Sequence, residues 1–93
     1  MADYTILYWQ EIPSLVDAKD DGGGHKIQLS QRYQDLIDLA AMRRGLAGTD
    51  GYLEQWKRGA SDQRDGTAEA VAQAVADELE AQFEVFKAAV GKE

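Results

Sequence analysis

His25 follows Gly22-Gly23-Gly24 and is the one side chain here whose ordinary titration lies near neutrality. As a general base it needs a partner to orient it, and no serine or carboxylate stands at a spacing that supplies one. A lone histidine entering a strand reads as a solvent-facing or edge residue. Ser14 and Ser30 sit in no nucleophile motif. The segment Asp17-Ala18-Lys19-Asp20-Asp21-Gly22 looks superficially like a calcium loop. Counted from Asp17, however, Lys19 holds the third ligand position and Gln28 the place of the bidentate acid, so two ligands fail. Gly22-Gly23-Gly24-His25-Lys26 lacks the spacing and the Lys-Ser/Thr pair of a phosphate loop, and it leads into a strand where a phosphate wants a helix N-terminus. Asp35 and Asp38 lie one helical turn apart and could share a proton, yet opposite the Leu36/Ile37 stripe they read as surface charges. Without cysteine there is no thiolate nucleophile, zinc-thiolate site or iron-sulfur ligand set. The expectation is a protein that is no enzyme, with no catalytic residue, metal or cofactor.

The aromatic residues carry more. Trp9 and Trp56, with Tyr4, Tyr8 and Tyr52 nearby, either belong to the core or form a platform on the sheet face away from the helices, and interfaces are enriched in Trp, Tyr and Arg. Arg43 and Arg58 would then be rim charges. Between Arg43 and Arg64 five cations (Arg43, Arg44, Lys57, Arg58, Arg64) oppose three anions (Asp50, Glu54, Asp62). That local excess of positive charge reads either as scattered arginines or as a weak patch for an acidic partner or anion, built from Arg43, Lys57, Arg58 and the 17–25 loop.

These residues need elements to hold them. Residues 4–12, rich in β-branched and aromatic types and ending at the only proline, Pro13, predict a strand that is apolar on both faces and so central in its sheet. Residues 14–24 read as a mobile polar loop. Residues 25–30 alternate, with Ile27 and Leu29 on one face, and predict a second strand. Ser30 suits an N-cap, and Tyr33, Leu36, Ile37, Ala40 and Ala41 recur at helical spacing up to Gly45, with Leu46 placed for a Schellman contact. A helix over about 31–44 follows. Residues 52–58 alternate and predict a third strand, although positions 52, 53 and 56 would also share a face in a helical turn. After a polar loop at 62–66, Thr67 caps a long helix with Glu69 in its first turn, whose stripe of Val71, Val75, Leu79, Phe83, Phe86 and Val90 extends beyond what a three-stranded sheet needs. Its last turns either fold back over the sheet edge or expose Phe83, Phe86 and Val90 to another chain.

The resulting order β-β-α-β-α gives an α+β two-layer sandwich, a three-stranded antiparallel sheet of order 2-1-3 under two helices on one face. No repeat or boundary divides residues 1–93, and the core spans about 4–90. With helices on one face only, a doubly apolar strand has to hide its second face in a partner or a second copy of the chain. At 93 residues and a net charge of −7 the chain is small and acidic. Such a surface repels phosphate backbones, so no nucleic acid is expected, and no long apolar run offers a membrane span. The N-terminus has no basic region followed by an apolar one, which points to the cytoplasm.

Three stretches carry a resemblance: Tyr8-Trp9-Gln10-Glu11-Ile12-Pro13, the run from Tyr33 through Ala41-Met42-Arg43, and Gly45 through Tyr52-Leu53-Glu54-Gln55-Trp56. The patterns Tyr-Trp-x-x-Ile-Pro, Ala-Met-Arg and Tyr-Leu-x-x-Trp, in that order, resemble the small bacterial family known as virulence factor, over residues 4 to 80 or so. The resemblance implies an accessory role without chemistry of its own, since related domains are fused to an iron-sulfur-scaffold-like domain and helical repeats. It also implies an association of stand-alone members with one-carbon, corrinoid-dependent methyl transfer, and hence an alternative role as a small anion- or ligand-binding accessory subunit of a methyl-transfer or iron-sulfur pathway. It places emphasis on Trp9, Pro13, Asp38, Met42, Arg43 and Trp56. The function expected is that of a non-catalytic adaptor binding a protein partner through Trp9, Trp56, Arg43, Arg58 and Tyr52.

Overall fold

The structure is a computed structural model describing residues 1–92. Two long strands, β1 (Ala2–Trp9) and β2 (Ile12–Asp20), form an antiparallel hairpin whose two-residue tip is Gln10-Glu11. Gln10 turns it with φ at 53°, a left-handed conformation that a non-glycine residue rarely adopts. A second two-residue loop, Asp21-Gly22, leads into β3 (Gly23–Gln28), with Asp20 paired to Gly23. Asp20 holds this turn by accepting the Gly22 N–H at 2.8 Å. Then come helix α1 (Gln31–Arg43), the short helix α2 (Asp50–Glu54), strands β4 (Trp56–Arg58) and β5 (Asp62–Arg64), and helices α3 (Ala68–Ala81) and α4 (Phe83–Gly91). The sheet order is β3-β2-β1-β4, and β5 joins the same edge of β1 nearer its start.

The α+β class and the antiparallel sheet agree with the sequence reading; the details are corrected in five places. Residues 14–24 are mostly strand, not a mobile loop. Pro13 opens β2 next to a register shift in the β1–β2 ladder, where two-to-one pairing tolerates its missing N–H. The strand at 23–28 therefore pairs with β2 and does not touch β1, so the order 2-1-3 gives way to five strands with β1 and β2 both interior. Residues 52–58 divide into the end of α2 and a three-residue strand that does pair antiparallel with β1. Finally, 62–64 is a strand, and the long C-terminal helix breaks at Gln82.

Alternation gives the hairpin two unlike faces. Ala2, Val16 and Ala18 are buried under α3, with Tyr4, Ile6 and Ile27 half-buried beside them, and Val71, Ala72, Val75, Ala76 and Leu79 complete the layer. Every apolar position expected of α1 is buried. Gly45 ends that helix with φ at 73°, the Gly45 N–H reaching the Met42 carbonyl and the Leu46 N–H the Ala41 carbonyl, which is the Schellman pattern anticipated. Thr67 caps α3 by accepting the Ala70 N–H at 3.2 Å. Asp20 accepts the Ala68 N–H at 2.7 Å, and that bond, with the one from Gly22, holds its carboxyl below the usual carboxylate range.

Ser30 stands at the N-cap of α1 without capping it. Its hydroxyl and N–H both donate to Glu80, at 2.8 and 2.7 Å, and Arg32 adds an ion pair at 3.1 Å. Desolvation pulls the Glu80 carboxyl upward, but the Ser30 and Arg32 hydrogen bonds outweigh it and leave the group below its ordinary 4.5. Tyr33 donates to the Leu79 carbonyl; burial first and the nearby Glu80 charge second push its phenol up to about 12. The break at Gln82 lets α4 turn back, and Phe83 meets Tyr33 edge-on at 5.0 Å while Val90 is fully buried. The last turns thus fold back, but onto α1 and not over the sheet edge.

Candidate interaction site

The tip of the β1–β2 hairpin is clamped from outside by α2 and β4. The Gln10 N–H donates to the Gln55 carbonyl at 3.1 Å and the Gln10 amide to the Gln55 side chain, also at 3.1 Å. Arg44, just past α1, grips the tip as well, donating to both Glu11 carboxylate oxygens at 2.5 and 3.2 Å and to the Gln10 side-chain oxygen Oε1. Beneath this clamp Trp9 is completely buried. Its Nε1 donates to the Tyr52 carbonyl at 2.9 Å, and the Tyr52 ring lies 5.5 Å away at a tilt of 33°. Trp56, opposite Trp9 in the ladder, meets Tyr52 edge-on at 6.2 Å and remains half-buried.

Three of the five expected partner-binding residues are therefore brought together. Trp9, Tyr52 and Trp56 form one aromatic stack, but Trp9 is its sealed base and offers no surface to a partner. The second face that the doubly apolar strand had to hide is covered at this end by the chain's own α2. Arg43 is exposed at the end of α1, whereas Arg58 lies on the sheet face away from α3, bonded to Asp17 at 3.1 Å and Thr5 at 3.2 Å. Lys57 lines a different hollow, with Gln10, Glu11, Glu54 and Gln55. The patch built from Arg43, Lys57 and Arg58 is thus dispersed over three surfaces. His25 is half-buried at a hollow lined by Asp20, the glycine loop, Thr67 and Glu69. Asp35 and Asp38 each accept from a glutamine one turn earlier, Gln31 and Gln34.

What the sequence reading missed is the apolar surface above the stack. Met42, 63% exposed, borders a groove of about 310 Å³ that Asp38, Ala41, Ala47, Gly48 and Tyr52 also line. Gly48, at φ 74°, turns the chain from α1 into α2, and a side chain at Gly51 would come within 3.0 Å of Leu46, so the corner is tightly folded. Leu53, next to Tyr52 on α2, is 67% exposed. A methionine is unbranched and polarizable, and beside a shallow apolar groove it suits contact with another apolar side chain. The signal was present in Ala-Met-Arg, where Met42 falls off the buried stripe of α1.

Among the described residues no three His, Asp or Glu side chains are placed to share a metal ion, and no helix is long and apolar enough to cross a membrane. Residues 7–87 match the profile of the family described as Virulence factor, which is most of the chain. Comparison with curated proteins and with solved structures gave no match.

Proposed function

The chain belongs to the virulence factor family, and on that premise we propose that it is a non-catalytic accessory domain that binds a protein partner through the corner between α1 and α2. The observation that carries this reading is a strongly exposed apolar side chain, Met42, at a groove lined by Tyr52, which the fully buried Trp9 backs, with a second exposed apolar residue, Leu53, next to Tyr52 in α2. A contact surface backed by an immobile aromatic stack loses little entropy on binding, and anchors of this kind dominate interface energetics. Asp38, in the groove lining, and Arg43, next to Met42 in the chain, serve as rim charges that tune approach and orientation more than affinity. The role proposed for Trp9 is support of the Tyr52 surface from below; contact with the partner falls to Met42, Leu53, Tyr52 and the exposed part of Trp56.

The test is co-purification of the tagged protein from its native cell extract, comparing wild type with Met42→Asp, Leu53→Asp and the control Val85→Asp, whose side chain is equally exposed on α4. A stoichiometric protein retained by wild type and by Val85→Asp but lost from both corner variants supports the assignment. Retention by all four, or equal loss from Val85→Asp, removes the corner from it.

A further inference from the structure

The sheet face turned away from α3 carries a feature independent of the corner. Here β1, β2 and β3 set Asp3 opposite Lys19, Thr5 opposite Asp17 and Asp17 opposite Lys26, while β4 sets Arg58 opposite Leu7. All of these side chains except Leu7, with Tyr4 and Ser61, line a dish of about 490 Å³. Its charges are three cations, Lys19, Lys26 and Arg58, against two carboxylates, in a protein whose net charge is −7.

The carboxylates do not use up the cations. Asp17, 8% exposed, is the buried charged residue of the described chain, and it is tied to Arg58. That tie takes one nitrogen of the guanidinium, Nη1, which also reaches Thr5. Arg44 and Arg64, in contrast, each engage a carboxylate through both terminal nitrogens, Arg64 to Glu78 at 2.5 and 2.8 Å. Arg58 alone of these three is held at one corner with the other edge of its fork unengaged, and a bidentate fork is the geometry that recognises carboxylate and phosphoryl oxygens. Lys19 and Lys26 are exposed and have no ion-pair partner among the described residues. A buried carboxylate that orients an arginine from below, with two unpaired lysines on neighbouring strands, is the arrangement of an anion seat.

We propose that this dish binds a small oxyanion, a phosphoryl or carboxylate group, through the unengaged edge of Arg58 and the ammonium groups of Lys19 and Lys26. Asp17 acts as a positioning residue that fixes the Arg58 fork. Thr5 and Ser61 are uncharged members of the lining, which leaves space for a small body attached to the anionic group.

The experiment is an amide-shift titration of the full chain with inorganic phosphate and, separately, succinate, each against sodium chloride at matched ionic strength. Saturable shifts are expected at Thr5, Asp17, Lys19, Lys26 and Arg58, with a stronger response to one probe assigning the phosphoryl or the carboxylate group. The double variant Lys19→Gln/Lys26→Gln leaves the Asp17–Arg58 pair intact and should weaken binding at least tenfold, while Lys57→Gln should leave it unchanged. Absence of saturable shifts with both probes, shifts reproduced by chloride, or unchanged affinity in the double variant would each overturn the proposal.

Discussion

The two faces of the β1–β2 hairpin share one backbone and have opposite fates. On one, Val16 and Ala18 are wholly excluded from water beneath α3; on the other, one residue along in each direction, Lys19 is exposed and Asp17 survives burial by pairing with Arg58. The difference teaches that packing and exposed charge are separated here by the strand period of two, since a single ladder of hydrogen bonds holds both sets of side chains in register. Only at the tip do the roles meet, where Trp9 is sealed by α2 and the surface above it is apolar.

The strongest way to break this contrast is to put a charge on the packed face. Val16→Asp should cost upward of about 4 kcal/mol and leave the chain largely unfolded, whereas Gln28→Asp, exposed on the opposite face across from Leu15, should stay within about 0.5 kcal/mol. Urea denaturation followed by tryptophan fluorescence measures both, and comparable losses would dissolve the distinction. Next in size, Trp9→Ala should destabilise by about 3–5 kcal/mol through its cavity and the orphaned Tyr52 carbonyl, and the half-buried Trp56→Ala by roughly half as much. Equal costs would mean that the stack has no sealed base.

Smaller effects sharpen the comparison. Glu80 binds fewer protons folded than unfolded at mildly acid pH, so its contribution is complete above its unfolded value near 4.5 and is lost as pH falls through its lower folded value. The drop in urea midpoint between pH 6 and pH 3 should therefore be smaller in Glu80→Gln than in wild type; an identical drop would place the acid sensitivity elsewhere. Least of all, Met42→Asp and Leu53→Asp should change stability by no more than about 0.5 kcal/mol by the same denaturation assay. A larger loss would mark them as structural residues and not as surface contacts.

The helices were legible because their signals are local. The α1 stripe from Tyr33 to Ala41, the Gly45 stop and the Thr67 cap all depend on neighbours within two turns, and each is where the spacing placed it. The strand β2 was obscured by Pro13 and by the charges at Asp17, Lys19 and Asp20. The proline is accommodated by the bulge beside it, Asp17 and Lys19 belong to the open face and Asp20 bonds the start of α3, so that Val16 and Ala18 carry the buried alternation. Nothing in Ala81-Gln82-Phe83 is a helix breaker; the turn there is imposed from a distance by Tyr33, which receives the Phe83 ring. The site was half legible for the same reason. Trp9 and Trp56 were recognised as a pair, but whether each faces outward depends on α2, whose five residues have a spacing that also suits a strand.

The order of the strands also bears on how the chain reaches this state. β1, β2 and β3 are joined by two-residue turns, so their ladders close between near neighbours and demand little loop entropy, and hairpins of this kind form in microseconds. The Trp9–Tyr52 bond, in contrast, joins residues 43 positions apart. A folding transition state built on the meander would leave mutations at Tyr52 and Gln55 acting on the unfolding rate and mutations at Val16 slowing folding. On such a path the α1–α2 corner closes last, and the aromatic stack of Trp9, Tyr52 and Trp56 is completed only once the meander stands.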